Sequence, residues 1–158
     1  MMKSYYFSFI FLISNFFAYA QNDAFITTWQ VQPNDLSINI PTQGTGYDYT
    51  VDFGDGTVLT NQTGDASHTY AATGTYTVNI NGIFPNIYMG FISNPDILKI
   101  KSVDQWGDIQ WQSMEYAFRY CYDLVINATD IPDLSQVNSM KGMFSSISGI
   151  NQDIWEYS

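Results

Sequence analysis

One nine-residue pattern occurs twice in this chain, at residues 113–121 and 139–147, a spacing of 26 residues. Phe118 in the first copy corresponds to Phe144 in the second, and the apolar positions of each copy follow the i, i+3, i+4, i+7 spacing of one helix face. A strand-like segment recurs at the same spacing, at residues 98–100 and 124–126. One short strand and one short helix per repeat predict a short α/β solenoid, a fold that usually presents a surface rather than an active site.

The first twenty residues are typical of a targeting segment. Lys3 gives a positive start, residues 7–17 are mostly apolar, and a small-x-small pattern ends at Ala20. We expect a signal peptide over residues 1–20 that is cleaved to leave Gln21 first; the alternative is an uncleaved anchor. The mature chain has no second long hydrophobic stretch, so we expect no membrane insertion after cleavage and a secreted or cell-surface location.

The chain is strongly acidic, with 15 Asp and Glu against five Lys and Arg and a net charge of −10. Loss of Lys3 with the signal peptide would change this charge to −11. Such a charge argues against nucleic acid and anionic membranes as partners, because both are bound by clustered Lys and Arg. Cys121 is the only cysteine, so an intrachain disulfide is impossible. An exported chain without disulfides and rich in aromatic residues suggests a bacterial surface or secreted protein.

The N-terminal half reads as β-structure. Three segments alternate apolar and polar residues with a period of two, at residues 36–40, 47–53 and 75–80. Turn-forming clusters separate them, at residues 41–44, 54–56 and 72–74. These features predict a β-sandwich. Because the composition changes near residue 84, we expect a β-rich chain of three parts: signal peptide 1–20, β-sandwich 21–84 and repeat solenoid 85–158 with an incomplete C-terminal repeat.

The sharpest local motif is the Asp-Phe-Gly-Asp-Gly-Thr run at residues 52–57, in which Gly and Asp favour a tight turn. It is followed by His68-Thr69-Tyr70 and by Gly-Thr-Tyr-Thr-Val at residues 74–78. Together, over residues 45–82, these motifs resemble the PKD-type immunoglobulin-like domain. The resemblance implies a non-catalytic spacer or binding module of an extracellular protein.

The repeats resemble a second family. Ser-Met-Lys-Gly-Met-Phe at residues 139–144, then Ile-Asn-Gln-Asp-Ile-Trp at residues 150–155, are similar to the BspA-like leucine-rich repeat of bacterial surface proteins. The resemblance covers residues 94–158 and implies adhesion to host proteins or other cells. Ile150, Ile154 and Trp155 would lie in a strand without a following repeat, so we expect self-association through this uncapped repeat.

Asp52 and Asp55 are the candidate calcium ligands, because calcium prefers several carboxylate oxygens. Their spacing is not that of an EF-hand loop, and each can cap its own turn, so we favour structural roles and expect no metal and no cofactor. The sequence shows no nucleophile or further metal ligand that would act together with His68. Cys121 falls on the apolar side of its repeat, which indicates a small buried side chain.

The candidate binding face is aromatic, because tyrosine and tryptophan are favoured at recognition surfaces. Its residues are Trp106, Trp111, Tyr116, Tyr120 and Tyr122. The alternative is that most of them fill the core. We therefore expect a non-enzymatic recognition or adhesion protein, with the PKD-type domain as spacer, the repeats as binding face, and an extracellular protein or glycan as partner. Two alternatives stay open: a carbohydrate-binding accessory module, and a structural fragment of a longer surface repeat array.

Overall fold

A computed structural model describes residues 23–147. The elements, in chain order, are β1 (Phe25–Val31), β2 (Ser37–Ile40), β3 (Asp48–Asp52), β4 (Val58–Gln62), β5 (Ala66–Thr69), β6 (Gly74–Ile83), a 3-10 helix (Pro95–Leu98), β7 (Ile100–Gln105) and β8 (Val125–Ile126). The predicted signal peptide and the strand of Ile150, Ile154 and Trp155 lie outside these residues.

Two sheets form the scaffold. The larger has the strand order β4-β3-β6-β1-β7-β8, and the smaller pairs β2 with β5. All pairings are antiparallel except β7 with β8, so the large sheet is mixed. This β-rich, immunoglobulin-like arrangement fits the predicted sandwich. The three predicted strands correspond to β2, β3 and β6.

Strand β1 shows how the sequence builds the core. Its residues alternate between a buried face and a more exposed face, and Phe25, Thr27, Trp29 and Val31 form the buried one. Such alternation places every second side chain on the same side of a strand. The two polar side-chain groups on this face form a hydrogen bond with each other, in which Trp29 Nε1 donates to Thr27 Oγ1 over 2.8 Å.

The large sheet contains strands from both sides of residue 84. β1 lies between β6 and β7, with Thr27 opposite Val78 on one side and Val103 on the other. The aromatic core also crosses this point: Phe25 packs against Phe84 and against residues further along the chain. The division at residue 84 remains a prediction, but the two parts share one sheet and one core.

The predicted α/β solenoid is wrong. Within residues 23–147 the one regular helical element is the 3-10 helix Pro95–Leu98, and both copies of the nine-residue pattern are turns. In four of these turns, the backbone N–H of the fourth residue donates to the carbonyl three residues earlier, at Ala117, Cys121, Met143 and Ile147. The third residue of each turn has a positive φ: Tyr116 (52°), Tyr120 (65°), Gly142 (61°) and Ser146 (66°). This is the geometry of type II β-turns, not of a helix.

The second copy nevertheless stacks on the first. Backbone N–H groups of Met114, Tyr116, Phe118 and Tyr120 donate to the carbonyls of Ser139, Lys141, Met143 and Ser145, respectively, over 2.8–3.0 Å. The rings of Phe118 and Phe144 lie parallel, with centroids 5.7 Å apart and an interplanar angle of 11°. The equivalence of these two phenylalanines is therefore confirmed, although they lie on turns.

Acid is expected to weaken the fold through Asp65. Burial raises the pKa of this carboxyl, but hydrogen bonds from Asn39 Nδ2 (3.0 Å), Thr42 N (2.8 Å) and Thr42 Oγ1 (2.7 Å) outweigh that effect and leave the pKa below its usual value. A lowered pKa contributes stability above the unfolded-state pKa of about 4, and this stability is lost as the pH falls through the folded-state pKa.

Urea denaturation of the native chain and of Asp65→Asn, between about pH 6 and about pH 2, measures this effect. We expect the variant to be less stable at the higher pH and to lose less free energy of unfolding on acidification. Other carboxylates contribute equally to both curves, so the difference isolates Asp65. Parallel curves would contradict the prediction.

Candidate functional site

Six partly or largely exposed side chains form a connected row, which we call the tyrosine strip: Tyr88, Phe91, Tyr116, Arg119, Tyr120 and Tyr122. Tyr88 lies between two rings, with its centroid 6.0 Å from that of Phe91 and 6.0 Å from that of Tyr116. At the other end, the centroids of Tyr120 and Tyr122 are 6.3 Å apart. Arg119 joins the two halves.

Consecutive turns explain why these rings are presented together. Tyr116 and Tyr120 occupy the third positions of successive type II turns, four residues apart and each half-buried. The fourth residues of the same turns, Ala117 and Cys121, are fully buried. The turns therefore divide the segment into an inner apolar side and an outer tyrosine side, as the helix prediction did, but with a different backbone.

The guanidinium of Arg119 is held between two rings. Its Cζ atom lies 4.7 Å from the centroid of Tyr116 and 4.6 Å from that of Tyr120. At these distances a cation is attracted to the face of an aromatic ring. Lys141 adds a second cation, with Nζ 5.4 Å from the Tyr116 centroid. The strip thus combines aromatic surface with two positive charges in an acidic protein.

The predicted binding-face residues separate into two groups. Tyr116, Tyr120 and Tyr122 lie in the strip. Trp106 and Trp111 do not: they are 3% and 0% exposed and pack against Phe25, so no ligand can reach them in this structure. For these two tryptophans the alternative of a core role is the one that the structure supports.

Three members of the strip were not among the predicted candidates. Tyr88 and Phe91 precede both copies of the nine-residue pattern, and nothing in the local sequence links them to Tyr116. Arg119 carried a usable signal, because it stands between tyrosines at positions 116 and 120 on a segment with few other charges. A guanidinium so placed can stack on both rings in a turn as well as in a helix.

The candidate calcium ligands accept hydrogen bonds from backbone N–H groups of their own turn. Asp52 Oδ1 accepts from Gly54 N over 2.8 Å, and Asp55 Oδ1 accepts from Thr57 N over 3.0 Å. The other carboxylate oxygen of Asp55 lies 2.7 Å from His68 Nε2, and this hydrogen bond lowers the pKa of Asp55. Within residues 23–147, no group of three or more His, Cys, Asp or Glu side chains is placed to hold a metal.

The same contacts account for the His-x-Tyr motif. The His68 ring packs against Phe53 and Tyr70, with centroids 4.8 and 4.6 Å away. Tyr70 is buried, donates a hydrogen bond to the carbonyl of Phe53 over 3.0 Å and stacks on Tyr76 at 3.7 Å. The motif therefore anchors the 52–57 turn to β5 and β6.

Calcium is expected to leave the stability of this turn unchanged. Because Asp52 and Asp55 already accept backbone hydrogen bonds, a cation would have to compete with those bonds. A calorimetric titration should show no binding tighter than the millimolar range that is typical of weak extracellular sites. Micromolar binding that disappears in Asp55→Ala would overturn the turn-cap assignment.

Cys121 is a core residue, with its side chain fully buried. Burial raises the pKa of its thiol to about 12, so the thiolate that acts as a nucleophile is scarce at neutral pH. This agrees with its predicted role as a small apolar side chain.

Comparison with known proteins gives one match. The family model of the PKD domain matches residues 17–81. The searches of curated proteins and of solved structures each found nothing similar. The comparisons give no support to the BspA-like resemblance of residues 94–158. In the part of the chain that the structure describes, no helix is long and apolar enough to span a membrane. PKD domains are typically non-catalytic, immunoglobulin-like and extracellular. The match supports the PKD-type resemblance of the N-terminal part of this chain.

Proposed function

We propose that this protein is a secreted or cell-surface recognition module without catalytic activity, in which the PKD-type part is the spacer and the tyrosine strip is the binding face for an extracellular protein or glycan. The observation that carries the proposal is the clustering of three predicted tyrosines: Tyr116 and Tyr120 stack on Arg119, and Tyr122 packs against Tyr120. The extracellular, adhesion-type character is supported by the PKD match.

The chemistry of the strip suits recognition. Tyrosine offers a large apolar ring with a polar tip and few rotatable bonds, so little conformational entropy is lost when it is covered. Stacking on both sides of Arg119 further reduces the freedom that a ligand would have to remove. Phe91 of the strip is 64% exposed, and the adjacent Ile92, at 66%, extends the apolar area available for contact.

The residues that most often carry catalysis have structural roles here. His68 is held by Asp55 and two aromatic rings, and Cys121 is buried with a raised pKa. These assignments support a binding function over a hydrolytic one.

The double variant Tyr116→Gly/Tyr120→Gly tests the proposal. Both positions have a positive φ that glycine adopts without strain, and Gly142 already occupies the equivalent position in the second copy, so the turns should persist without the rings. Binding of labelled protein to immobilised extracellular matrix proteins and a glycan panel should fall about tenfold or more.

Val58→Ser is the matched control, because it removes an exposed apolar side chain from the edge strand β4, outside the strip. It should bind like the native chain. If the glycine variant keeps both its thermal transition and its full binding, the strip is not the binding face.

A further inference from the structure

Within the described residues 23–147, Arg119 differs from the three lysines in lacking an acidic partner. Lys99 Nζ lies 2.6 Å from a carboxylate oxygen of Asp35 and 2.8 Å from one of Asp96. Lys101 pairs with Asp123 at 2.8 Å, and Lys141 approaches Glu115 at 3.8 Å. Among residues 23–147 no carboxylate pairs with Arg119, although the chain has 15 acidic side chains to choose from.

The guanidinium also has donors that the protein does not use. Its Nε is buried without a hydrogen-bond acceptor in the described part of the chain, so a ligand cannot reach that donor. The contacts of the group are the two tyrosine rings, and the donors left for a ligand are on the terminal nitrogens of this partly exposed side chain. The ring faces offset part of the positive charge of the guanidinium, but stacking forms no hydrogen bond with its N–H groups. A planar guanidinium with free in-plane donors is the arrangement that recognises a carboxylate with two parallel hydrogen bonds.

We infer that the tyrosine strip recognises a glycan that carries a single carboxylate, such as one ending in an acidic sugar, with the carboxylate on Arg119 and the sugar rings against Tyr116 and Tyr120. The inference rests on the proposed function and names its ligand class. No bond is made or broken.

The negative charge of the whole protein favours a ligand with one carboxylate over a polyanion. A polyanion would meet the repulsion of a chain with a net charge of −10 wherever it extended beyond the strip. A single carboxylate needs only the local field of Arg119, and at physiological salt the distant acidic groups are screened beyond about 8 Å. The row of rings then contributes the contact area for neutral sugars beside it.

Sialyllactose and its methyl ester test the inference, because they differ only at the carboxylate. The native chain should bind the acid about tenfold or more tightly than the ester in calorimetry or a glycan array. Arg119→Gln should bind the two equally, and Arg119→Lys should keep only part of the preference because it lacks the planar fork. Lys101→Gln, which removes one charge that is already paired with Asp123, should keep the full preference.

The outcomes separate this inference from the proposed function. Equal binding of acid and ester by the native chain, or binding to a protein ligand alone, overturns the inference; if that binding is still lost in Tyr116→Gly/Tyr120→Gly, the strip remains the binding face. Tighter binding of polyuronate than of sialyllactose overturns the single-carboxylate inference. An unchanged thermal transition in Arg119→Gln is required as the control for folding.

Discussion

Phe118→Ala is expected to lower the free energy of unfolding by about 3–5 kcal/mol. The Phe118 ring is fully buried, stacks on Phe144 and packs edge-on against Trp106 with centroids 6.1 Å apart. Its removal leaves a cavity between the stacked turns and the sheet, which the rigid tryptophan cannot fill. The cost therefore combines lost burial with an unfilled void.

Phe144→Ala is the matched variant, since it removes the other half of the same stacked pair. Phe144 is only half-buried, so its loss should cost less, about 1–2 kcal/mol. Urea denaturation with equal slopes for both variants gives the comparison. If Phe144→Ala costs as much as Phe118→Ala, burial is not what distinguishes the two copies.

Gly54→Ala is expected to cost about 2–5 kcal/mol, from a backbone clash added to an unfavourable conformation. Gly54 has a φ of 78°, and a Cβ atom at this position would clash with the carbonyl oxygen of Thr77 in β6. That carbonyl belongs to the sheet and cannot rotate away. The 52–57 turn would have to separate from β6.

Gly56→Ala in the same turn isolates the clash. Gly56 also has a positive φ, 95°, but a Cβ atom there would meet nothing within 4 Å. Its variant should therefore pay only the conformational cost, about 1 kcal/mol. Thermal denaturation of the two variants side by side measures the difference; similar losses would show that contact with Thr77 is unimportant.

Period-two patterns identified the strands in which one face is buried and the other is exposed to solvent. Residues 36–40, 47–53 and 75–80 were predicted in this way, and each overlaps an observed strand. β1 has the same alternation over Phe25–Val31, but its place between β6 and β7 depends on partners far along the chain, which a local pattern does not contain.

The helix prediction failed because a helix and a series of four-residue turns place apolar residues at the same sequence spacing. Consecutive four-residue turns bring positions i, i+3, i+4 and i+7 to the same side, as a helix does. The distinguishing signal was Gly142, which supplies the positive φ that a type II turn requires and weakens a helix interior. The equivalent position in the first copy is Tyr116, which does not indicate a positive φ.

Composition could not separate the aromatic residues of the core from those of the tyrosine strip. Trp106 and Trp111 are buried because they lie against Phe25, a contact between residues about 80 positions apart. Tyr116 and Tyr120 remain partly exposed because of the turn positions that they occupy. Only the three-dimensional neighbourhood decides between these outcomes.

The central position of β1 has a consequence for how the chain folds during synthesis. Phe25 pairs with Ile80, and Ile26 pairs with Gln105, so the first strand gains its two neighbours only after long loops have closed. Folds dominated by such distant pairings form in milliseconds to seconds rather than microseconds. The strand made first is completed late, and the nascent chain must keep Phe25 and Trp29 from wrong contacts until residue 105 has been made.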